Sequence, residues 1–438
     1  MNIVVVDDDD GDDIHSLSVT SERASTNFGD SESGQRSANK EAYMEVAQRE
    51  QRSVQVIRVV TFAAVVICAI VVCCLVYYFA TGADARNFEL EYTVFVEDIS
   101  RLVRWETTYN SALVSQLASS LTAEAMISQQ AFPFVTQPAF EITGGFVDGM
   151  GGIMMALFAP LITESQRTTW ENYSVMHQDW LDQSERLKVE SPYHRDPLHG
   201  TIQDHEHDRK LFTVDENIDV PSSLVIPAKL WSWDGDDKTV VKNTTKHGVY
   251  APLWQSSPHN ADTVNVDLLA DQRISDQYEV MMENGKVIMS PGYEIGNLFD
   301  WMFDPVEKPQ KVDPHGFIMH PVQVDFGEGK EIAGFVLALT SFRNLFTRLV
   351  PEGTQGIFAV VTGNAACGRN MTFLLKGEVA EFLGYEDLHE TESKLEEYKY
   401  STPMELLDDD HPDNVCLHEL NIYPSAAFRS SYNTNKPM

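Results

Sequence analysis

The sequence predicts an α+β protein held to a membrane: an N-terminal transmembrane helix, a long stalk helix, then a mixed domain with an antiparallel sheet. Three observations carry this. Val59 to Phe79 is a run of 21 residues with no charge, Gly or Pro, and a helix of that length spans about 31 Å, close to the apolar thickness of a bilayer. From Asn87 to Ile127 apolar residues recur at helical spacing. Residues 316–376 alternate short apolar runs with turn residues, which is a strand pattern.

The apolar run ends in Tyr77, Tyr78 and Phe79, residues suited to the headgroup layer. Lys40, Arg49, Arg52 and Arg58 precede it, whereas Asp84, Glu89 and Glu91 follow with Arg86 as the sole cation among them. The positive-inside rule then puts the N-terminus in the cytoplasm and residues 81–438 outside the plasma membrane or in the lumen of another secretory-pathway membrane. Three Asn-x-Ser/Thr sequons, at Asn172, Asn243 and Asn370, all lie after the run, where glycosylation needs them.

Of 438 residues 66 are acidic and 32 basic, a net charge of −34. Residues 81–438 alone stand near −28, a surface that repels nucleic acid and anionic lipid and attracts cations. The expected partners are therefore the membrane, a second copy in a homodimer, and a small-molecule or peptide ligand, with no nucleic acid.

Residues 1–55 read as an acidic, disordered cytoplasmic tail that turns helical near Glu41. Its Asp run is no EF-hand: setting Gly11 at the loop glycine puts Val6 and Leu17 at ligand positions. The transmembrane helix takes 56–80. Residues 85–220 read as the stalk and a helical part of the ectodomain, with Phe95, Ile99, Leu102, Tyr109, Leu113, Leu117 and Leu121 forming the stripe. That stripe serves a stalk, a core helix, or both. Gly144 to Thr163 is apolar but is broken by Asp148, several glycines and Pro160, so it reads as a buried helix or packed loop instead of a second span. Arg167 to Leu187 is amphipathic.

Residues 191–210 hold His199, His205 and His207 beside Asp204, Glu206 and Asp208. These histidines are candidate ligands for zinc or another divalent ion; a solvated surface insertion is the plain alternative. No cofactor is expected. A boundary falls near 220, and residues 221–438 form an α/β sensor part with strands at 248–258, 286–289, 316–324, 332–339, 356–362 and 370–376 and a helix near 342–349. Tyr250, Trp254, Gln255 and Ser256, at the end of an apolar strand, are the candidate ligand contacts; core packing of Tyr250 and Trp254 is the alternative. Cys68, Cys73 and Cys74 lie in the apolar run, which leaves Cys367 and Cys416 to pair with each other in an oxidising space.

Catalytic signatures are absent: there is no G-x-S-x-G, H-E-x-x-H, GxxxxGK[ST] or G-x-G-x-x-G. Several segments carry a resemblance instead: FPFVTQPAFE (132–141), YAPLWQSSP (250–258), PVQVDFGEGKEIAGFVLAL (321–339) with TSFRNLFTRLVPEGTQGIFAVV (340–361), FLGYEDLHE (382–390) and NIYPSAAFRSSYNTNKP (421–437). Together they resemble the ectodomain of diatom receptor-type guanylate cyclases. The resemblance implies a PAS-like sensor domain of the CHASE or Cache type. In such receptors a second membrane helix and a cyclase domain follow. Here nothing resembles the metal-binding aspartates of a cyclase, so the expectation is a truncated receptor without enzymatic activity of its own. A metal-dependent ecto-enzyme and a cell-surface adhesion protein remain the alternatives from other classes.

Overall fold

The computed structural model describes residues 36–190, 226–234, 237–242, 246–294, 313–327, 331–354, 356–389, 396–404 and 414–432. The acidic tail before Arg36, the histidines His199, His205 and His207, and Asn243 lie outside the described residues.

Helix α1 runs Arg36–Ile127. The chain divides into two compact units, Met1–Phe79 and Ala80–Met438. In the first, α1 carries the apolar run, with a mean hydropathy of 3.2 over its best 18-residue window and none of that window buried by the protein. It is long and apolar enough to cross a membrane.

The second unit is mixed α+β, with two large antiparallel sheets and two two-stranded ones among the described residues. After α1 come α2 (Phe140–Gly151) and strand β1 (Ile153–Pro160), a β2 fragment (Ile162–Thr163), then α3 (Arg167–Met176) and α4 (Asp179–Glu190). Further on lie β3 (Trp231–Asp234), β4 (Asp237–Val240), β5 (Val249–Tyr250), β6 (Gln255–Ser257), α5 (Gln272–Asn284), β7 (Ile288–Met289) and β8 (Tyr293–Glu294). The long strands follow: β9 (Pro314–Gln323), β10 (Ile332–Ser341), the short α6 (Phe342–Phe346), β11 (Ile357–Gly363), β12 (Met371–Lys376), β13 (Val379–Tyr385), β14 (Tyr400–Pro403) and β15 (His418–Pro424).

One sheet has the order β6-β1-β10-β9-β7 with β8 also on β9; the other has the order β13-β12-β11-β15-β14. The hairpin β9–β10 turns at the Asp325-Phe-Gly stretch and pairs Leu337 with Met319; both strands are buried on nearly every residue. Residues 153–160, expected as a buried helix or packed loop, are instead strand β1. It is buried along its whole length, so both faces are apolar and the period of two is invisible in the sequence. Because β1 pairs with both β6 and β10, this sheet takes in residues on both sides of the boundary expected near 220.

The pleat sorts the core into two. Ala156 and Phe158 of β1, with Val336 and Ala338 of β10, face the buried side of α1. Met155, Leu157 and Ala159, with Leu337 and Leu339, face α5 through Ile274, Tyr278 and Met281. Ile357, Ala359 and Val361 of β11 and Leu420 and Ile422 of β15 also belong to the α1 side. Both sheets are therefore built around the lower part of one helix. Ile99, Leu113, Leu117 and Leu121 of the stalk stripe are buried there, while Leu102 is exposed. Polar groups of α1 reinforce the packing: Tyr92 Oη donates to Ile422 O (3.0 Å), Thr107 Oγ1 to Met404 O (2.6 Å) and Thr122 Oγ1 to Gln323 O (2.9 Å).

Candidate functional site

The α1–α2 pair frames a groove of about 280 Å³. Leu113, Leu117 and Ser120 from α1 face Ile142, Thr143 and Phe146 from α2. Its wall is mostly hydrocarbon, and Ile142 and Phe146 are partly exposed at the rim. Helix α2 comes close to β6 because Gly144 has no side chain: a Cβ there would lie 2.4 Å from Ser257 Cβ.

One polar rung crosses the base of the groove. Ser120 Oγ donates to Gln137 Oε1 (3.2 Å), and Gln137 Nε2 donates to Thr143 Oγ1 (3.3 Å). Gln137 is in turn clamped by Gln255, whose Oε1 accepts from Gln137 N (2.9 Å) and whose Nε2 donates to Gln137 O (2.9 Å). An apolar cleft with a few fixed polar groups is the usual form of a small-molecule site.

The four residues expected to contact ligand are all buried. Tyr250 Oη donates to Glu164 and accepts from Arg167 Nη1 (3.2 Å). Trp254 Nε1 donates to Thr136 Oγ1 (2.9 Å), and its ring meets those of Trp170 and Trp180 edge-on, each at 5.3 Å. Ser256 Oγ accepts from Asn260 N (3.3 Å). Of the four, Gln255 alone reaches the rung of the groove, and it does so by holding Gln137.

The sequence reading missed Ser120, Gln137 and Thr143. Gln137 sits in the FPFVTQPAFE segment, where a lone Gln carries no signal of its own. It also missed a buried carboxylate–imidazole pair beneath α2, where His259 Nδ1 lies 3.6 Å from Glu141 Oε2, and Asp267. The Asp267 carboxylate accepts from Ala251 N (2.9 Å) and Leu269 N (3.3 Å). Burial nonetheless pushes its pKa up to about 6.

Cys367 and Cys416 are joined in a disulfide, with Cα atoms 4.6 Å apart. Beside them His418 is fully enclosed, and burial pushes its pKa down to about 4. These are the residues whose donor atoms could converge on a metal ion among the described part of the chain. Of the sequons, Asn172 is exposed on α3 and Asn370 is half-buried just before β12.

No protein-family model matches the chain, and no curated protein is significantly similar to it.

Proposed function

We propose that the chain is the membrane-anchored, ligand-sensing input part of a receptor, with a PAS-like sensor domain of the kind found in receptor guanylate cyclases and no enzymatic activity of its own. Its ligand seat is the groove between α1 and α2. The observation that carries this is that the groove is cut into α1 itself, the helix that also contains the apolar run. A ligand that draws α2 toward α1 makes contacts with that helix, and a differential contact of this kind is what a switch requires. The lining selects a small, largely apolar molecule with one group able to hydrogen-bond to Ser120 or Thr143.

The test uses the full chain in detergent, screened by thermal shift against small apolar alcohols and amides. A binder should raise the melting temperature of the parent and lose its effect in Ile142→Asp and Phe146→Asp, which change rim side chains that are already partly exposed. Binders that act equally on the parent and both variants place the ligand elsewhere and defeat the assignment.

A further inference from the structure

Cys416 and Leu417 lead directly into strand β15, which opens at His418. Cys416 and His418 are both buried, and the Cys416 sulfur lies against the His418 imidazole. Cys367, in the turn that follows β11, closes on them from the neighbouring strand. Gly363 pairs with His418 across β11 and β15, and it is glycine for a reason: a Cβ there would stand 2.3 Å from Cys367 Sγ and 2.7 Å from Leu417 O.

The imidazole Nδ1 lies 3.1 Å from Cys416 Sγ and 3.7 Å from Cys367 Sγ. Tetrahedral zinc, with Zn–S about 2.3 Å and Zn–N about 2.0 Å, sets each S to N separation at about 3.6 Å. The Cys416 sulfur also lies 3.6 Å from Nε2, against the face of the ring, so the imidazole must turn to aim its Nδ1 lone pair at an ion held between the two sulfurs. All three residues are buried. Phe342 stacks on the imidazole with centroids 5.3 Å apart. Asn364 ties the two loops together, donating to Val415 O (2.7 Å) and accepting from Leu417 N (3.3 Å).

We propose that, once the Cys367–Cys416 disulfide is reduced, this cluster is a Cys2His site for zinc or a similar soft divalent ion. A dithiol reductant gives two electrons and two protons to the disulfide, becomes a disulfide itself, and leaves two protein thiols. Metal binding releases those two protons as the thiolates bond to the ion, while neutral His418 contributes the Nδ1 lone pair. A water completes the tetrahedron. The same sulfurs cannot hold each other and the ion, so metal and disulfide exclude one another. Occupancy of the site then reports the redox state of its surroundings. The proposal does not depend on the ligand groove.

The experiment uses the full chain in detergent, in a Cys68→Ala, Cys73→Ala, Cys74→Ala background so that thiols of the apolar run cannot contribute. Reduced, chelator-stripped protein is titrated with Co²⁺ and then Zn²⁺. The expected result is one Co²⁺ per chain, with a thiolate-to-cobalt charge-transfer band that Zn²⁺ abolishes, and no such band in the oxidised protein. His418→Gln should weaken Zn²⁺ binding at least tenfold, and Zn²⁺ should protect Cys367 and Cys416 of the parent from alkylation. The proposal is overturned if the reduced parent loses its native circular dichroism, takes up no Co²⁺, or shows no thiolate band. Zn²⁺ binding by His418→Gln as tight as the parent's overturns it equally.

Discussion

Asn110 sits in the middle of α1, fully buried, and among the described residues no atom hydrogen-bonds either end of its amide. An orphaned amide in an apolar interior costs about 1–3 kcal/mol. Asn110→Leu, which keeps the branch at Cγ and removes both unpaired polar ends, should therefore raise the unfolding free energy by about 1–3 kcal/mol in urea titrations; an unchanged or lower value would show that the amide has a partner in solution. Asp267 makes a pH-dependent case. The folded chain keeps its proton up to about pH 6, whereas an unfolded Asp releases it near pH 4. The stability held by the neutral form is thus complete below about pH 4 and is lost as the pH rises through 6. Asp267→Asn keeps an oxygen to accept from Ala251 and Leu269 but cannot ionise. Measured against the parent, the variant should gain up to about 3 kcal/mol between pH 4 and pH 7, and a difference that is flat with pH would refute the assignment.

At the scale of elements, α1 offers a second apolar stripe opposite its buried one. Leu90, Val94, Leu102 and Trp105 are exposed, the last at 58%, while Phe88, Tyr92, Val96, Ile99 and Val103 on the far side are buried. A second copy anchored through the same helix presents the same stripe in the same direction, which suits a parallel homodimer. Val94→Glu with Trp105→Glu should leave folding intact, since both positions are exposed, and convert the detergent-solubilised chain to monomer in analytical ultracentrifugation; an unchanged mass would rule out this face. The elements that were legible beforehand are the 21-residue run, the helix to Ile127, and the β9–β10 hairpin with its short helix α6, where a Gly-containing polar turn separates two apolar runs. Strand β1 was not legible, because burial on both faces erases alternation and its partners β6 and β10 lie far off in sequence, with no adjacent turn to mark a hairpin. The groove was not legible either. Leu113, Leu117, Ile142 and Phe146 are ordinary amphipathic-helix residues, and only the packing of α2 on β6 at Gly144 sets them facing each other. Pairing of Cys367 with Cys416 needed only a count of cysteines outside the apolar run, yet His418 beside them required the register of β15.

For the whole molecule, the decisive question is which side of the membrane carries the sheets. Cations crowd the N-terminal flank of the apolar run and carboxylates the other, which favours an N-terminus in the cytoplasm. We propose that orientation, and two further features supply its tests. Asn172 offers an exposed acceptor on α3, and glycan transfer occurs only in the lumen. The Cys367–Cys416 bridge closes a loop with a sequence separation of 49, which the chain-entropy treatment values at about 4 kcal/mol; such a bond persists in an oxidising compartment and is lost in a reducing one. Expressed in a glycosylating host, the chain should run at lower mass after glycosidase treatment, and replacing Asn172, Asn243 and Asn370 with Gln should remove that shift. An N-terminal tag should stay protected from protease in intact cells, and mapping should recover Cys367 and Cys416 in one disulfide-linked peptide pair. The opposite orientation makes the contrary prediction on all three counts: no glycan, an accessible tag, and free thiols at Cys367 and Cys416. In that compartment the two sulfurs and His418 would be in the reduced state that the proposed metal site requires, so zinc content of the purified chain would rise as the disulfide disappears.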